Sequence, residues 1–458
     1  MSNANQLVTA RLASWIATDS RRERSETEYR IATQSFIDTC ACALAGSGGH
    51  GPSALRDLLA GDGAQASIIG TPLRASARSA AQINGTAGHA LDYDDYELLA
   101  YSHPSVSLVP AALGLGEQLN SPGRTMLRAY ITGYEVAQTV GAALSPTDYL
   151  AGFHTTGTIG TLGACACACV LLGLDAPTTR IALGIASSLA SGVRVNFGTD
   201  VKPLHAGQAA GNGILAASLA ARGFTASADG IEADFGFAHT HAPSQRSRLT
   251  EQVDRLYAGE IGITLHPPTR KPYASCGGTH AAIQAALSLR HLAPNPEAIE
   301  SVIVEGSEQY RSVLIHPRPT TGLEAKFSME ACMAIALADG AAGMPQFTDD
   351  SVKRPSIQRL IEKVEIRDNA EFSRMWQRGD CLPAAVTLVT KGARERNEVV
   401  NAPGSPLNPM SDEVLMAKFA QCAQGVLSPE RAKTAAELLG KMAKLDTITG
   451  LMSALSGK

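Results

Sequence analysis

The chain has 458 residues, 45% hydrophobic, 18% charged and 5% aromatic, with a formal net charge of −4. That length exceeds what one core comfortably fills, so two or three domains are expected, and the composition excludes a collagenous or disordered chain. With no basic stripe there is no nucleic-acid footprint, which leaves small molecules or a second copy of the chain as partners.

From Met1 to Arg11 the chain is polar and then amphipathic, without the apolar core of a secretion signal. The nine cysteines lie mostly in apolar segments and fit a reducing compartment better than a disulfide framework. A cytoplasmic protein is expected. Leu12, Trp15 and Ile16 form one apolar face after Leu7 and Val8. Ile37, Cys40, Ala41 and Leu44 then recur at helical spacing until Gly46-Ser47-Gly48-Gly49 stops the second helix. Further helices are predicted at Ala75–Ala90, Val106–Leu119, Thr125–Leu144, Thr158–Leu172, Pro177–Ser191 and Ala206–Arg222. Gly173 and Gly223 suit left-handed caps. Thr155 to Leu174 runs twenty residues without a charge. It is rich in small residues and lacks basic or aromatic anchors, so it reads as a buried helix and not a membrane span.

Strand-like alternation is nearly absent before residue 295. Ile299–Val304 and Val364–Arg367 then read as strands, and Ala385–Thr390 with Asn397–Val400 as a hairpin about Lys391-Gly392. Helices are predicted at Thr279–Leu292 and Lys326–Gly340. After Pro403-Gly404-Ser405-Pro406, Ser411 caps a last helical tail. The fold class is therefore mainly α. Residues 1–267 and 401–458 form a large helical domain, and 268–400 a smaller inserted α/β lid.

Two glycine-rich stretches, Gly46–Gly51 and Gly157–Gly163, follow no predicted strand, so helix packing explains them better than a nucleotide loop. Cys165, Cys167 and Cys169 lack metal-ligand spacing, and His239-Thr240-His241 has no acidic partner at useful spacing. Neither a metal nor a cofactor is expected.

Four polar stretches stand apart. The first is Asn84-Gly85-Thr86-Ala87-Gly88-His89-Ala90-Leu91-Asp92-Tyr93-Asp94-Asp95, followed by Ser102-His103-Pro104-Ser105. Its acids are costly to bury, and a solvated helix end is the plainer alternative. In Gly152-Phe153-His154-Thr155-Thr156-Gly157 a histidine precedes an apolar helix, where exposed N–H groups favour an anion; a capping histidine is the alternative. In Lys202-Pro203-Leu204-His205-Ala206-Gly207, Lys202 is placed in a loop between apolar segments, as a carboxylate-binding ammonium or a plain surface lysine. The last, Lys271-Pro272-Tyr273-Ala274-Ser275-Cys276 through His280, sits at the domain junction, where pockets concentrate and linkers also lie.

Together and in this order, over nearly the whole chain, these blocks resemble the MmgE/PrpD family. That family includes 2-methylcitrate dehydratase, cis-aconitate decarboxylase and iminodisuccinate epimerase. The resemblance implies a homodimer that needs no metal and acts on a small polycarboxylate. Carried over, it implies Asp92, His103, His154, Lys202 and His280 as the catalytic set. Lys202, His280, Lys271, Lys326 and Ser328 are the expected substrate contacts. One departure concerns a tyrosine of the dehydratase and decarboxylase branches. Lys326-Phe327-Ser328-Met329-Glu330-Ala331 places Ala331 at that position, with Glu330 as the nearest polar group, and looks closer to the epimerase branch.

The shared chemistry is proton transfer at carbon beside a carboxylate, with cationic groups neutralising the developing charge. Asp92 is expected to support His103, His103 or His154 to act as base, and Lys202 with His280 to bind carboxylates. Dehydration of a citrate-like acid is the first expectation, and epimerisation of an amino- or imino-dicarboxylate the second. A helical homodimer that binds a carboxylate without turning it over is a third.

Overall fold

The computed structural model describes residues 8–379 and 381–457; Met1 to Leu7, and with them part of the amphipathic start, lie outside it. The chain is 60% helical and 8% strand, so it is mainly α with a small α/β region. Its centre is a stack of helices rich in small residues: Ala77–His89, Ser105–Leu119, Gly123–Leu144, Thr155–Leu171 and Val201–Ala220. Glycine sets how closely they approach. A Cβ on Gly207 would stand 2.0 Å from the Gln82 carbonyl oxygen, and one on Gly163 would stand 2.9 Å from that of Gly133. The glycines of the 157–163 stretch thus serve backbone-to-backbone packing.

Thr155–Leu171 is buried over most of its length, and among the described residues no helix is long and apolar enough to cross a membrane. Leu12, Ile16, Cys165 and Cys169 lie in one apolar core with it. Near the C-terminus, the helix Asp412–Ala423, capped by Ser411 onto the Val414 N–H at 3.3 Å, packs on Glu26–Gly46. Both chain ends therefore support the same helical body.

The second region is built on four strands in the order Val364–Asp368, Ile299–Gly306, Ala384–Thr390, Arg394–Val399. Ile299–Gly306 pairs parallel with the first and antiparallel with the third. The parallel pair requires a crossover, which Met329–Asp339 and Pro355–Ile361 supply. Val302, Val304, Val386 and Leu388 are fully buried.

Three local readings change. Val201–Ala220 starts five residues before the expected Ala206, so Lys202 lies in the first helical turn and not in a loop. Pro203 is tolerated there because first-turn N–H groups have no helical acceptor. A two-residue antiparallel pair, Ala66–Ser67 with Arg74–Ala75, was too short to leave a pattern. His241 closes a short helix, Phe237–His241, instead of a loop, with its ring 4.2 Å from those of Phe153 and Phe237.

Candidate active site

The helix Ala77–His89 ends at a buried histidine, and three residues later Asp92 takes a φ of +51°. Asp tolerates this left-handed conformation better than most residues. Around it, three successive carbonyl oxygens each accept a buried ammonium. Lys326 Nζ donates to Leu91 at 2.7 Å, Lys271 Nζ to Asp92 at 2.8 Å and Lys418 Nζ to Tyr93 at 2.7 Å. The Asp92 carboxylate also accepts from Lys202, and from Lys271 at 3.1 Å. Burial alone would raise the Asp92 pKa, but the two ammoniums outweigh it and hold the carboxyl well below its usual range.

Lys418 has its own counter-ion, Asp38, at 2.7 Å, and donates to the Lys271 carbonyl at 3.0 Å. Lys326 differs. Its second acceptor is the Ala274 carbonyl at 2.7 Å, and among the described residues it forms no ion pair with a carboxylate. Burial brings its pKa down to about 8.

The histidines surround the other face of this segment. Asp94 accepts from His89 Nδ1 at 2.9 Å and from His103 Nδ1 at 3.0 Å, and the Asp95 carbonyl also faces His103 Nδ1 at 2.9 Å. Acceptors around Nδ1 require the proton there, so neutral His89 and His103 carry their lone pairs on Nε2. His280 Nε2 faces the Ser275 carbonyl at 3.1 Å, which leaves the lone pair on Nδ1. His154 occupies the N-cap position of the helix Thr155–Leu171 without a side-chain capping bond, its Nδ1 3.0 Å from Nδ1 of His205. His89 Nε2, His154 Nε2 and His280 Nδ1 are buried without a hydrogen-bond partner among the described residues. Buried polar atoms are seldom left so, and ligand-binding sites are a common reason.

Burial lowers the histidine pKa values, to about 4 for His89 and His205 and about 3 for His280, with His103 and His154 also below their ordinary range. The cluster therefore holds neutral imidazoles at pH 7. His280, expected to bind a carboxylate together with Lys202, is therefore a neutral imidazole, and the positive charge belongs to the lysines.

The structure gathers Asp92, His103, His154 and Lys202, with Lys271 and Lys326 beside them. His280 stands next to Lys271, its ring 6.5 Å from that of Tyr96. Ser328 caps the helix Met329–Asp339 through the Ala331 N–H at 3.1 Å, and Ala331 is fully buried. Asp92 was expected to support His103; its Oδ1 lies 3.9 Å from His103 Nε2, and Asp94 makes the closer contact, 3.0 Å from Nδ1. Sequence reasoning also passed over His89, His205 and Lys418. The first two stood inside the quoted motifs; Lys418, within an amphipathic helix, carried no signal.

One ligand atom each from His89, Asp92, Asp94 and His103 lie within 4.8 Å of one another, a grouping that could hold a metal. Both Asp92 oxygens already face ammoniums and both Asp94 oxygens face imidazole nitrogens. A cation there would have to displace these donors against the repulsion of Lys202 and Lys271. The donor set suits the lysines better than a metal.

Solvent approaches the cluster beside His103, where a cavity of about 80 Å³ is lined by Tyr96, Tyr101, Tyr149, Cys276 and Trp376. Two larger surface hollows, of about 480 and 710 Å³, contain no residue of the cluster.

Residues 10–250 match the MmgE/PrpD N-terminal domain and residues 273–443 the MmgE/PrpD C-terminal domain. The chain belongs to the MmgE/PrpD family. Its site draws on both family domains: Asp92, Asp94, His103, His154 and Lys202 fall in the N-terminal match, and His280, Lys326 and Lys418 in the C-terminal one. Cis-aconitate decarboxylase of Aspergillus terreus (strain NIH 2624 / FGSC A1156) is 27% identical over 490 residues, covering 99% of this chain and 97% of that protein. Cis-aconitate decarboxylase of Homo sapiens is 29% identical over 390 residues, covering 82% and 79%. That of Mus musculus is 28% identical over 397 residues, covering 82% and 78%.

Proposed function

We propose that this MmgE/PrpD chain is an acid–base lyase acting beside a carboxylate of a small tricarboxylic acid, without a metal. The observation that carries the reading is Lys326, a buried ammonium with no carboxylate partner among the described residues, in a cluster whose His89 Nε2, His154 Nε2 and His280 Nδ1 have no hydrogen-bond partner among them either. A bound polycarboxylate would supply the missing negative charge, and its carbon acid the missing proton. Asp92, His103, His154, Lys202 and His280 are the proposed catalytic set. Lys271, Lys326 and Ser328 are proposed to line the substrate, in a cleft between a helical body (1–267 and 401–458) and a lid (268–400).

In this scheme His154 or His103 accepts the α-proton through its Nε2 lone pair, while the lysines stabilise the charge that develops on the carboxylate. Loss of water from a 2-methylcitrate-like acid begins with that proton transfer, and a protonated lysine or the newly formed imidazolium donates to the departing hydroxyl. A second reading, loss of CO₂, is favoured by the whole-length similarity to cis-aconitate decarboxylases. There the C–C bond to the carboxylate breaks, CO₂ leaves, and the electron pair left on carbon is quenched by a proton from a lysine ammonium. Ala331, with no hydroxyl to offer, keeps epimerisation of an iminodisuccinate-type substrate as a third outcome.

The proposal includes a homodimer in a reducing, cytoplasmic setting; no disulfide forms among the described cysteines. Proton NMR in D₂O with 2-methylcitrate, cis-aconitate and iminodisuccinate tests the reaction. Alkene formation from the hydroxyacid marks a dehydratase, and CO₂ loss with one deuterium gained marks a decarboxylase. No turnover and no α-deuterium with any of them would overturn the reading.

A further inference from the structure

The contact between His154 and His205 joins like nitrogens, Nδ1 to Nδ1, at 3.0 Å. With both rings neutral, one nitrogen must donate and the other accept, so the pair has two arrangements. In the first, His154 Nδ1 carries the proton and its Nε2 presents a lone pair. In the second, His154 Nε2 carries the proton.

The surroundings choose between them. His154 is 1% exposed and its Nε2 has no hydrogen-bond partner among the described residues. A buried N–H left unpaired is rarer and costlier than an underused acceptor, which favours the first arrangement. His205 then accepts at Nδ1 and carries its proton on Nε2, which is not among the buried atoms left without a partner. Gly192, at φ +134°, leaves room for the His205 ring: a Cβ there would lie 3.1 Å from the imidazole Cγ. The same residue fixes the other ring's backbone, because the His154 N–H donates to the Gly192 carbonyl at 3.0 Å.

We propose that His205 is a positioning residue that holds His154 in the Nδ1–H tautomer, leaving Nε2 as the base of the site. Assigning the base to His154 rests on the lyase reading above; the tautomer does not. The arrangement does for one histidine what Asp94 does for His89 and His103, with an imidazole in place of a carboxylate. A neutral acceptor leaves the tautomer fixed without stabilising an imidazolium, so the proton that His154 accepts is passed on readily.

The test is the imidazole ¹⁵N spectrum of histidine-labelled protein, read in the wild type, His205→Asn and His205→Leu. Asn can accept from His154 Nδ1 and Leu cannot. The wild type and the Asn variant are expected to show His154 with a protonated Nδ1 and a bare Nε2, and the Leu variant to lose that single pattern. Substrate deuteration should fall roughly 100-fold in kcat for Leu, with KM within about twofold, and much less for Asn. A protonated Nε2 in the wild type overturns the proposal. So does an unchanged His154 pattern in the Leu variant, or equal kcat losses in both variants. The wild-type spectrum alone keeps the test decisive if the Leu variant fails to fold. If the spectra behave as expected while no polycarboxylate turns over, His205 keeps its role and only the lyase reading falls.

Discussion

Asp94 faces His103 Nδ1 at 3.0 Å from a position with no solvent exposure. Its other contact is His89, so one carboxylate fixes the tautomers of two imidazoles whose rings are tilted by 60° with centroids 4.5 Å apart. Burial would raise the Asp94 pKa, but the two imidazoles and their hydrogen bonds reverse this and keep it ionised. Asp94→Asn preserves shape while removing charge and letting an amide N–H oppose an imidazole N–H. Turnover is expected to fall by about 10² to 10⁴, with the folded state retained on circular dichroism. Turnover within threefold of wild type would return the supporting role to Asp92.

Lys326 gives the site a pH dependence with a definite sign. Its folded pKa is about 8, against an ordinary value of 10.5. Between those values the unfolded chain binds the extra proton and the folded one does not. Stability of the wild type relative to Lys326→Met is therefore expected to rise from pH 8 towards 10.5, by about 3 kcal/mol over the full window. Function moves the opposite way, because a neutral amine no longer attracts a carboxylate, and KM should climb above pH 8. Urea unfolding of both proteins at pH 7 to 10, beside KM over the same range, checks the pair. A stability difference that stays flat or falls with pH contradicts the assignment.

The helices that build the body were legible because small-residue and apolar spacing leaves a strong period, and Ser411 announced its cap by residue type. The site was legible as motifs but not as contacts. Asp92 and Asp94 differ by two positions in one loop, and only the left-handed turn at Asp92 decides which carboxylate meets the lysines and which the histidines. Lys202 was misplaced because Lys-Pro reads as loop, although proline in a first helical turn has the same signature. Lys418 left no trace, since a lysine on an amphipathic helix is normally solvated and its burial depends on Asp38, 380 positions away.

That distant pair makes the last expectation. Lys418 is enclosed by Asp38 and the carbonyls of Tyr93 and Lys271, with the Tyr93 ring 3.8 Å from Nζ. It joins the helix Asp412–Ala423 to the two segments that carry Asp92 and Lys271. Lys418→Met alone strands a buried carboxylate and is expected to cost about 3 to 5 kcal/mol. Adding Asp38→Asn removes the unpaired charge, so the double variant should recover much of that loss in urea unfolding. It should not recover turnover, because Asp38→Asn restores neither hydrogen bond to the Tyr93 and Lys271 carbonyls. Equal stability of the single and double variants would mean that the ion pair is not what holds Lys418 in place. Full turnover in the double variant would mean that the carbonyl contacts do not hold the site.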